Sequence, residues 1–407
     1  MSNKEERKAP VLRFKGFTDD WEQRKLGDIA NVYDGTHTTP DYQKNGIMFL
    51  SVENIDTLTS KKFITKSDYL ENYKHKPEYH DIFMTRIGSI GKTNILETHD
   101  PRAFYVSLAL IKPKDIDPYY LKYWLSSNTT QKEIWRRTLQ IAFPQKINKD
   151  EISKVQSSIS KSKNEQYNIG QLLNKIDHLL LLQQRKLNEL KEVKKTLLSQ
   201  LFPSKGQYRP IIRFKKFTNK WTKRKLGNIA KIIGGGTPST SNHDYWNGNI
   251  NWYSPTEIGN NIFVNSSNKK ISIKGLNNSS AKLLPGGKTI LFTSRAGIGN
   301  MAIMLTDGCT NQGFQSWVID DTKIDIYFLY SLGRLLKHDA IRQASGSTFL
   351  EISNKEVKKL LLEIPSFTEQ KLIGNMLRKI DDDIVRQKER IILITKIKKN
   401  LLQKLFV

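Results

Sequence analysis

The 407-residue sequence predicts an α+β fold in which two globular units, related by a pseudo-two-fold axis, are separated by an antiparallel two-helix coiled coil. Three observations predict this fold. A heptad-patterned stretch occurs at 165–202 and again at 369–406, and a tryptophan-containing motif occurs at 10–30 and again at 210–230. Between each motif and its heptads lie short β-branched and aromatic runs, which are typical of strands. Such a duplication indicates one architectural unit written twice.

Each heptad stretch predicts a helix of about 50 Å, given a rise of about 1.5 Å per residue. Both copies interrupt the apolar seam at the same two places, first with glutamine (Gln183, Gln387) and then with lysine (Lys194, Lys398). Matched polar interruptions predict helices that pair in a fixed register. Two separate amphipathic helices are the alternative. The residues predicted to pair are Ile169, Leu173, Ile176, Leu180, Leu187, Leu190, Ile373, Leu377, Ile380, Ile384, Ile391 and Ile394.

The order of the segments predicts the direction of pairing. The second globular unit begins where the first helix ends, and the second helix begins where that unit ends. Because the two ends of a domain often lie close together, the second helix is expected to run back along the first. The predicted boundaries are 1–160 and 204–366 for the globular units, and 161–203 and 367–407 for the helices.

Charge is the main compositional signal. The sequence has 66 Lys and Arg against 40 Asp and Glu, a net charge of +26. Such a surplus predicts a polyanionic partner. Since the basic residues are spread over the chain, nucleic acid is favoured over a membrane surface, although a surplus of solubilising lysine is the alternative. A single cysteine, Cys309, excludes an intramolecular disulfide and argues against a cysteine-built zinc site. The absence of a long apolar run and of a signal peptide predicts a cytoplasmic protein.

A strand, an arginine and a glycine-rich turn recur at 82–91 and 290–299. Arg86 and Arg295, each followed by backbone amides, suit a phosphate or a guanine edge. A plain tight turn with arginine in solvent is the alternative. The segment 88–93 ends like a P-loop, but Arg86 stands where that pattern requires glycine, so nucleotide binding is not expected.

The loops differ between the copies where the framework matches. Gly35-Thr-His-Thr-Thr-Pro has Gly234-Gly-Gly-Thr-Pro-Ser as its counterpart, which suggests that the two units read different things. Plain surface loops and solvated helix faces are the alternatives. The side chains predicted to contact DNA are Thr36, His37, Thr38, Arg86, Ser89, Lys92, Arg136, Arg137, Gln145, Lys146, Thr237, Ser239, Thr240, Ser294, Arg295, Asn300, Ser347 and Thr348.

No catalytic set is recognisable in the sequence. It contains no Asn-Pro-Pro-aromatic motif for amino-group methylation, no glycine cluster for a methyl donor, and no paired-histidine metal spacing. A nuclease pattern beginning at Pro40-Asp41 finds no acidic-x-Lys partner downstream. These absences predict a non-catalytic DNA reader without a metal or cofactor of its own. A self-contained methyltransferase or nuclease, and a coiled-coil adaptor that does not bind DNA, are the alternatives.

The ordered duplicate resembles the specificity subunit of type I restriction–modification enzymes over nearly the whole chain. The motifs that carry the resemblance are Arg24-Lys-Leu-Gly with Arg224-Lys-Leu-Gly, Gly234-Gly-Gly-Thr-Pro-Ser, Ser294-Arg-Ala-Gly-Ile-Gly, Ile364-Pro-Ser, Glu369-Gln-Lys-Leu-Ile, and the Leu-Leu-x-x-Leu-Phe helix ends. The first copy departs from the pattern, with Ser158-Ile-Ser and a Gly35-Thr-His loop.

The resemblance implies two target recognition domains, each reading one half of a split, asymmetric DNA sequence, with the helices as a spacer. It also implies two modification subunits that methylate adenine from S-adenosylmethionine. Two restriction subunits that use ATP and Mg²⁺ would complete a phage-defence complex. The specificity subunit itself is expected to hold no cofactor.

Overall fold

The computed structural model describes residues 9–204, 206–295, 297–345 and 350–407. The chain forms two compact units. Unit 1 is the chain up to Arg185 together with Glu389–Val407, and unit 2 is Lys186–Lys388. The units therefore divide inside the two long helices, α6 (Lys163–Gln200) and α11 (Phe367–Lys404).

The remaining elements of unit 1 are short. Its strands are β1 (Glu22–Lys25), β2 (Ala30–Asp34), β3 (Ile47–Leu50), β4 (Phe63–Ile64), β5 (Ile82–Thr85), β6 (Thr93–Ile95), β7 (Arg102–Phe104), β8 (Leu108–Pro113) and β9 (Gln156–Ile159); its helices are α1 (Leu26–Ile29), α2 (Lys66–Asn72), α3 (Pro118–Ser126), α4 (Asn128–Arg136) and α5 (Lys149–Ser153). The strands form a sheet of order β2-β8-β5-β6, a sheet of order β4-β3-β7 and a ribbon β1-β9.

Unit 2 has the corresponding elements. Its strands are β10 (Thr222–Lys225), β11 (Ala230–Gly234), β12 (Trp246–Tyr253), β13 (Phe263–Val264), β14 (Lys269–Ile271), β15 (Thr289–Phe292), β16 (Met301–Met304), β17 (Gly308–Thr310), β18 (Gln315–Ile319) and β19 (Leu361–Ile364); its helices are α7 (Ile273–Asn277), α8 (Ile326–Leu335), α9 (Lys337–Arg342) and α10 (Asn354–Lys359). The sheets have the orders β11-β18-β15-β16-β13 and β14-β12-β17, with a ribbon β10-β19. The predicted α+β class is confirmed in both units.

The tryptophan motif fastens each unit to the start of a long helix. In unit 1, Arg13 Nε and Trp21 Nε1 donate to the Glu165 carboxylate at 2.7 and 3.0 Å. In unit 2, Arg213 Nε donates to Glu369 at 2.7 Å. Trp21 is buried, as is Trp221 in unit 2, so both side chains are core anchors.

Helices α3 and α8 each begin at an aspartate N-cap. Asp117 accepts a hydrogen bond from the backbone N–H of Tyr120 at 2.8 Å, and Asp325 accepts one from that of Phe328 at 2.8 Å. A Cβ atom on Gly374 of α11 would lie 2.3 Å from Asp325 Oδ1, so glycine there permits close approach of the two helices.

Within unit 1, the two long-helix segments run antiparallel. Lys398 of α11 forms an ion pair with Asp177 of α6, while Leu405 packs with Ile169 and Leu173. Partner numbers therefore fall along α6 as they rise along α11. The predicted pairing residues in this unit lie inward: Ile169 and Leu173 are buried, and Ile176, Leu180, Ile391 and Ile394 are partly buried.

Unit 2 repeats this arrangement with the helices exchanged. Lys194 of α6 forms an ion pair with Asp381 of α11, and Leu201 packs with Ile373 and Leu377. Leu187, Ile373, Leu377 and Ile384 are buried, and Leu190 and Ile380 are partly buried. In both units the seam lysine bonds an aspartate of the opposite helix, which confirms antiparallel pairing in a fixed register.

The β-branched and aromatic run 104–111 predicts one continuous strand, and this prediction is wrong. Strand β7 ends at Phe104 and β8 begins at Leu108. A turn separates them, closed by a hydrogen bond from Leu108 N–H to the Tyr105 carbonyl at 2.9 Å.

Candidate nucleic-acid interface

The Arg86 side chain is buried and bonds two other segments of unit 1. It is 6 % exposed, and its Nε donates to the Ile147 carbonyl at 3.1 Å. One terminal nitrogen bonds the carboxylate of Asp34, the last residue of β2. Burial lowers the pKa of Arg86 from its usual value. Direct contact between Arg86 and DNA would require this ion pair to open.

The two predicted arginines are not equivalent, which corrects the interpretation of the recurring turn. Arg86 N–H donates to the Ser107 carbonyl at 3.0 Å, and in unit 2 the matching bond runs from Ser294 N–H to Gly313 at 2.8 Å. Ser294 is therefore the structural counterpart of Arg86, and Arg295 lies one position further along. Because consecutive residues of an extended chain point to opposite sides, this one-residue displacement brings Arg295 to the surface.

The carboxylate that pairs with Arg86 in unit 1 is also missing from unit 2. Asp34, the last residue of β2, has Gly234 as its counterpart at the end of β11. Unit 2 thus lacks both members of the buried pair. Arg295 is 45 % exposed along its side chain and forms an ion pair with Glu351 at 2.8 Å. It is the better placed of the two arginines to meet a ligand.

The loop after β2 carries three predicted residues. Thr36 N–H donates to the Phe104 carbonyl at 3.1 Å, which anchors the start of the loop. The Thr36 and Thr38 hydroxyl oxygens lie 3.0 Å apart, and His37 and Thr38 are exposed. The loop therefore presents hydroxyl and imidazole groups from an anchored base.

A second cluster of predicted residues meets at the turn after β5. Gly88 N–H donates to the Gln145 carbonyl at 2.9 Å, and Leu139 N–H donates to the Lys146 carbonyl at 2.8 Å. Ser89 and Lys146 are exposed beside this contact. The structure therefore brings together the turn and the 145–146 segment, which are far apart in the sequence.

The other basic residues of unit 1 that were predicted to contact DNA differ in how tightly neighbouring carboxylates hold them. Arg137 is held by Glu133 and Glu151 at 2.8 and 3.1 Å. Arg136 is mostly exposed and contacts Glu133 at 3.3 Å, and Lys92 is exposed at 3.9 Å from an aspartate. Arg136 and Lys92 can therefore reach a phosphate more readily than Arg137.

In unit 2 the glycine-rich loop is tightly packed. A Cβ on Gly236 would lie 2.3 Å from the Ser280 hydroxyl oxygen, so glycine is required there. The Thr237 hydroxyl donates to Gln312 at 2.5 Å, and Ser239 and Thr240 are exposed. Two other predicted residues are less available, because Ser294 is buried and Asn300 accepts from a lysine at 2.9 Å. Ser347 and Thr348 lie outside the described residues.

Two exposed side chains of unit 1 were missed by the sequence analysis. Ile141 and Phe143 are fully exposed at the tip of the loop between Leu139 and Lys146. The only sequence signal was an apolar pair set between basic residues.

The described parts of the chain offer no candidate metal site. They contain no group of three or more His, Cys, Asp or Glu side chains able to hold a metal ion. Burial raises the pKa of Cys309 to about 12, so its thiol stays protonated near neutral pH. Nor is any helix within the described ranges both long and apolar enough to cross a membrane.

The sequence matches the family model "Type I restriction modification DNA specificity domain" twice, at residues 18–192 and 218–395. Two similar curated proteins come from Methanocaldococcus jannaschii. The type I restriction enzyme MjaIX specificity subunit is 32 % identical over 195 residues, which is 47 % of this chain and 45 % of that protein. The MjaX specificity subunit is 27 % identical over 397 residues, 91 % of this chain and 89 % of that protein. The alignment thus spans about half the length of MjaIX and most of MjaX.

Two solved structures share the fold. The type I restriction–modification S subunit from M. genitalium has a TM-score of 0.66 at 16 % identity, with 98 % of this chain and 99 % of that chain covered. A chain from the structure describing complex assembly and conformational transition of the type I R-M system has a TM-score of 0.55 at 14 % identity, with 97 % and 98 % covered.

Proposed function

The chain belongs to the type I restriction modification DNA specificity domain family, and we propose that it is the DNA-recognition subunit of a type I restriction–modification system. In this role it binds a split, asymmetric DNA sequence and directs the modification and restriction subunits to it. It performs no chemistry itself. The proposed site of action is the cytoplasm, where the DNA lies.

One observation carries the proposal: the same scaffold occurs twice and bears different side chains at the same places. The β2 loop of unit 1 presents His37 and Thr38, whereas the β11 loop of unit 2 presents Ser239 and Thr240. Different donors and acceptors on matching loops suit two different half-sites. A framework that served only as an adaptor would have no use for this divergence.

Two kinds of contact divide the work of recognition. Exposed basic side chains, drawn from a net charge of +26, hold phosphates and supply affinity that falls with salt. Loop side chains enter the grooves and read base edges. Arg295 is the proposed base or phosphate contact of unit 2, because it is surface-exposed beside the β15 turn.

The partners are proposed from the family. Two modification subunits would bind S-adenosylmethionine and methylate adenine, and two restriction subunits would use ATP and Mg²⁺. The spacer role of the paired helices is proposed on the same basis. Deleting seven residues from each long helix, which removes one heptad while keeping the seam in phase, should shorten the gap between half-sites. An unchanged gap in the methylated sites would refute the spacer role.

Methylome sequencing of the host, with and without this gene, tests the central proposal. We expect a bipartite motif whose adenine methylation disappears with the gene and returns on complementation. A matched complementation uses a chain with the β2-loop residues 36–39 exchanged for residues 236–239 of unit 2, which should alter one half of the motif only. Methylation that is identical with and without the gene would contradict the proposal.

A further inference from the structure

Two large apolar side chains of unit 1 stand fully in solvent at the tip of one loop. Ile141 and Phe143 are fully exposed, and Leu139 at the base of the loop and Trp135 on the preceding helix α4 are about half exposed. A cluster of exposed large apolar residues on a folded surface marks a site that another molecule covers.

The stem of this loop is fixed although its tip is exposed. Leu139 N–H donates to the Lys146 carbonyl at 2.8 Å, and Gly88 N–H donates to the Gln145 carbonyl at 2.9 Å. Ile147, the next residue, is fully buried, and its carbonyl accepts from Arg86. The tip therefore projects from a pre-organised base, which lowers the entropic cost of using it in binding.

The surroundings of the tip are basic. Residues 128–151 contain five basic side chains and three acidic ones, a net charge of +2. Two of these acids are already paired, because Glu133 bonds Arg136 and Arg137, and Glu151 bonds Arg137 as well. Lys132 and Lys146 are exposed and have no carboxylate partner among the residues described. Lysine is depleted in the cores of protein–protein interfaces. In contrast, apolar side chains flanked by lysine or arginine are typical of proteins that bend DNA.

We propose that Ile141 and Phe143 form an apolar wedge that enters the minor groove at the half-site read by unit 1. The wedge partly unstacks one base step and bends the duplex there. This inference rests on the proposed DNA recognition and adds a source of specificity to it. Pyrimidine–purine steps open most easily, so the wedge favours such a step without a hydrogen bond to its bases.

The test uses the full chain with its partner subunits and a duplex carrying the methylated motif. A single 2-aminopurine is moved through the half-site of unit 1, away from the methylated adenine. The wild type should give a fluorescence rise at one step. Phe143→Ala should lose most of that rise and weaken cognate binding roughly tenfold, the scale of one base–aromatic stack. Phe143→Leu should keep most of it, because apolar volume is what the step receives.

Exposed Leu70 on α2 offers a matched control in the same unit, and Leu70→Ala should leave both signals unchanged. Since Phe143 is fully exposed, its truncation removes no core packing, and circular dichroism should match the wild type. A fluorescence rise that Phe143→Ala leaves intact would overturn the wedge. So would loss of partner-subunit assembly with the DNA signal retained, which would make the loop a protein contact. Failure of the wild type to bind any methylated motif would refute the proposed function instead.

Discussion

Replacing Glu165 by alanine should destabilise unit 1 and leave unit 2 intact. The Glu165 side chain is fully buried and accepts from Arg13 Nε and Nη2 at 2.7 and 2.9 Å, from Trp21 at 3.0 Å and from the Ser160 hydroxyl at 2.5 Å. These donors come from the tryptophan motif and from the segment after β9. The carboxylate therefore holds the start of α6 to two other parts of the unit.

The magnitude follows from what the substitution leaves behind. Arg13 is only 13 % exposed, so its guanidinium would stay largely buried without the carboxylate that bonds two of its nitrogens. Removing one partner of a buried ion pair costs about 3–5 kcal/mol. The hydrogen bonds lost by Trp21 and Ser160 belong to the same network and are not added separately. At about 1.4 kcal/mol per tenfold change, unfolding of unit 1 becomes roughly 100- to 4,000-fold more frequent.

Hydrogen–deuterium exchange with mass spectrometry measures each unit separately. Peptides from 163–185 should exchange faster in Glu165→Ala, and peptides from 367–388 should not. The duplicated fold supplies the crossed control: Glu369→Ala removes the same ion pair from Arg213 in unit 2 and should reverse the pattern. Glu22→Ala removes an exposed pair with Arg24 and should cost about 0–1 kcal/mol. An effect of Glu165→Ala no larger than that of Glu22→Ala would refute the reasoning.

Three further predictions concern acid pH, the helix seam and the DNA contact. Burial raises the pKa of Glu165, but the hydrogen bonds from Arg13 and two neutral donors outweigh it and hold the pKa below its usual value of 4.5. Because the pKa of Glu165 is lower in the folded state than in the unfolded state, the ionised carboxylate stabilises unit 1 at pH values above about 4.5. Unit 1 should therefore lose stability as the pH falls below about 4.5, and Glu165→Gln should flatten this pH dependence in urea titrations. Lys398→Met removes one of two lysines that pair with Asp177 and should cost about 1–2 kcal/mol, whereas Lys398→Met/Asp177→Leu should cost more, because it also leaves the buried Lys122 without its carboxylate and the Tyr123 hydroxyl without its acceptor. Arg295→Ala should weaken binding to the unit 2 half-site by about 1–3 kcal/mol if the guanidinium is bidentate to guanine.

Each of these predictions has a discriminating control. An unchanged acid limb in Glu165→Gln would exclude that carboxylate as its source. For the seam, a double variant more stable than Lys398→Met alone would contradict the account in which Asp177 also holds Lys122 and Tyr123. Arg386→Ala removes an exposed, ion-paired arginine from α11 and should not change DNA binding. Equal losses from Arg295→Ala and Arg386→Ala would indicate a general charge effect and not a local contact.

The long helices could be predicted because their signal is local and periodic. Every apolar or polar residue assigned to the seam, including Gln387 and Lys194, is buried or partly buried. The N-caps of α3 and α8 depend on equally local interactions, because Asp117 and Asp325 each need only a neighbouring N–H group. Interactions within a few residues leave a readable pattern in the sequence.

The arginines show why the site could not be predicted equally well. Whether Arg86 is buried depends on Asp34, which lies 52 positions away, and on the register of its strand, which the residues next to Arg86 do not indicate. The useful signal was the change from Asp34 to Gly234 between copies, because the carboxylate and its arginine are lost together. The exposure of Phe143 could not be predicted, because an aromatic residue in a sequence usually indicates a side chain in the hydrophobic core.

Unit 1 contains residues that the ribosome delivers at very different times. Leu405 and Phe406 are buried in its core, with the Phe406 ring 6.1 Å from that of Trp21. Trp21 emerges early, whereas Phe406 follows only after all of Lys186–Lys388 has been translated. During translation, the N-terminal part of unit 1 therefore exposes an apolar cleft until the C-terminal residues that fill it have been synthesised. A pause or premature stop in between would leave that cleft available to chaperones or to aggregation.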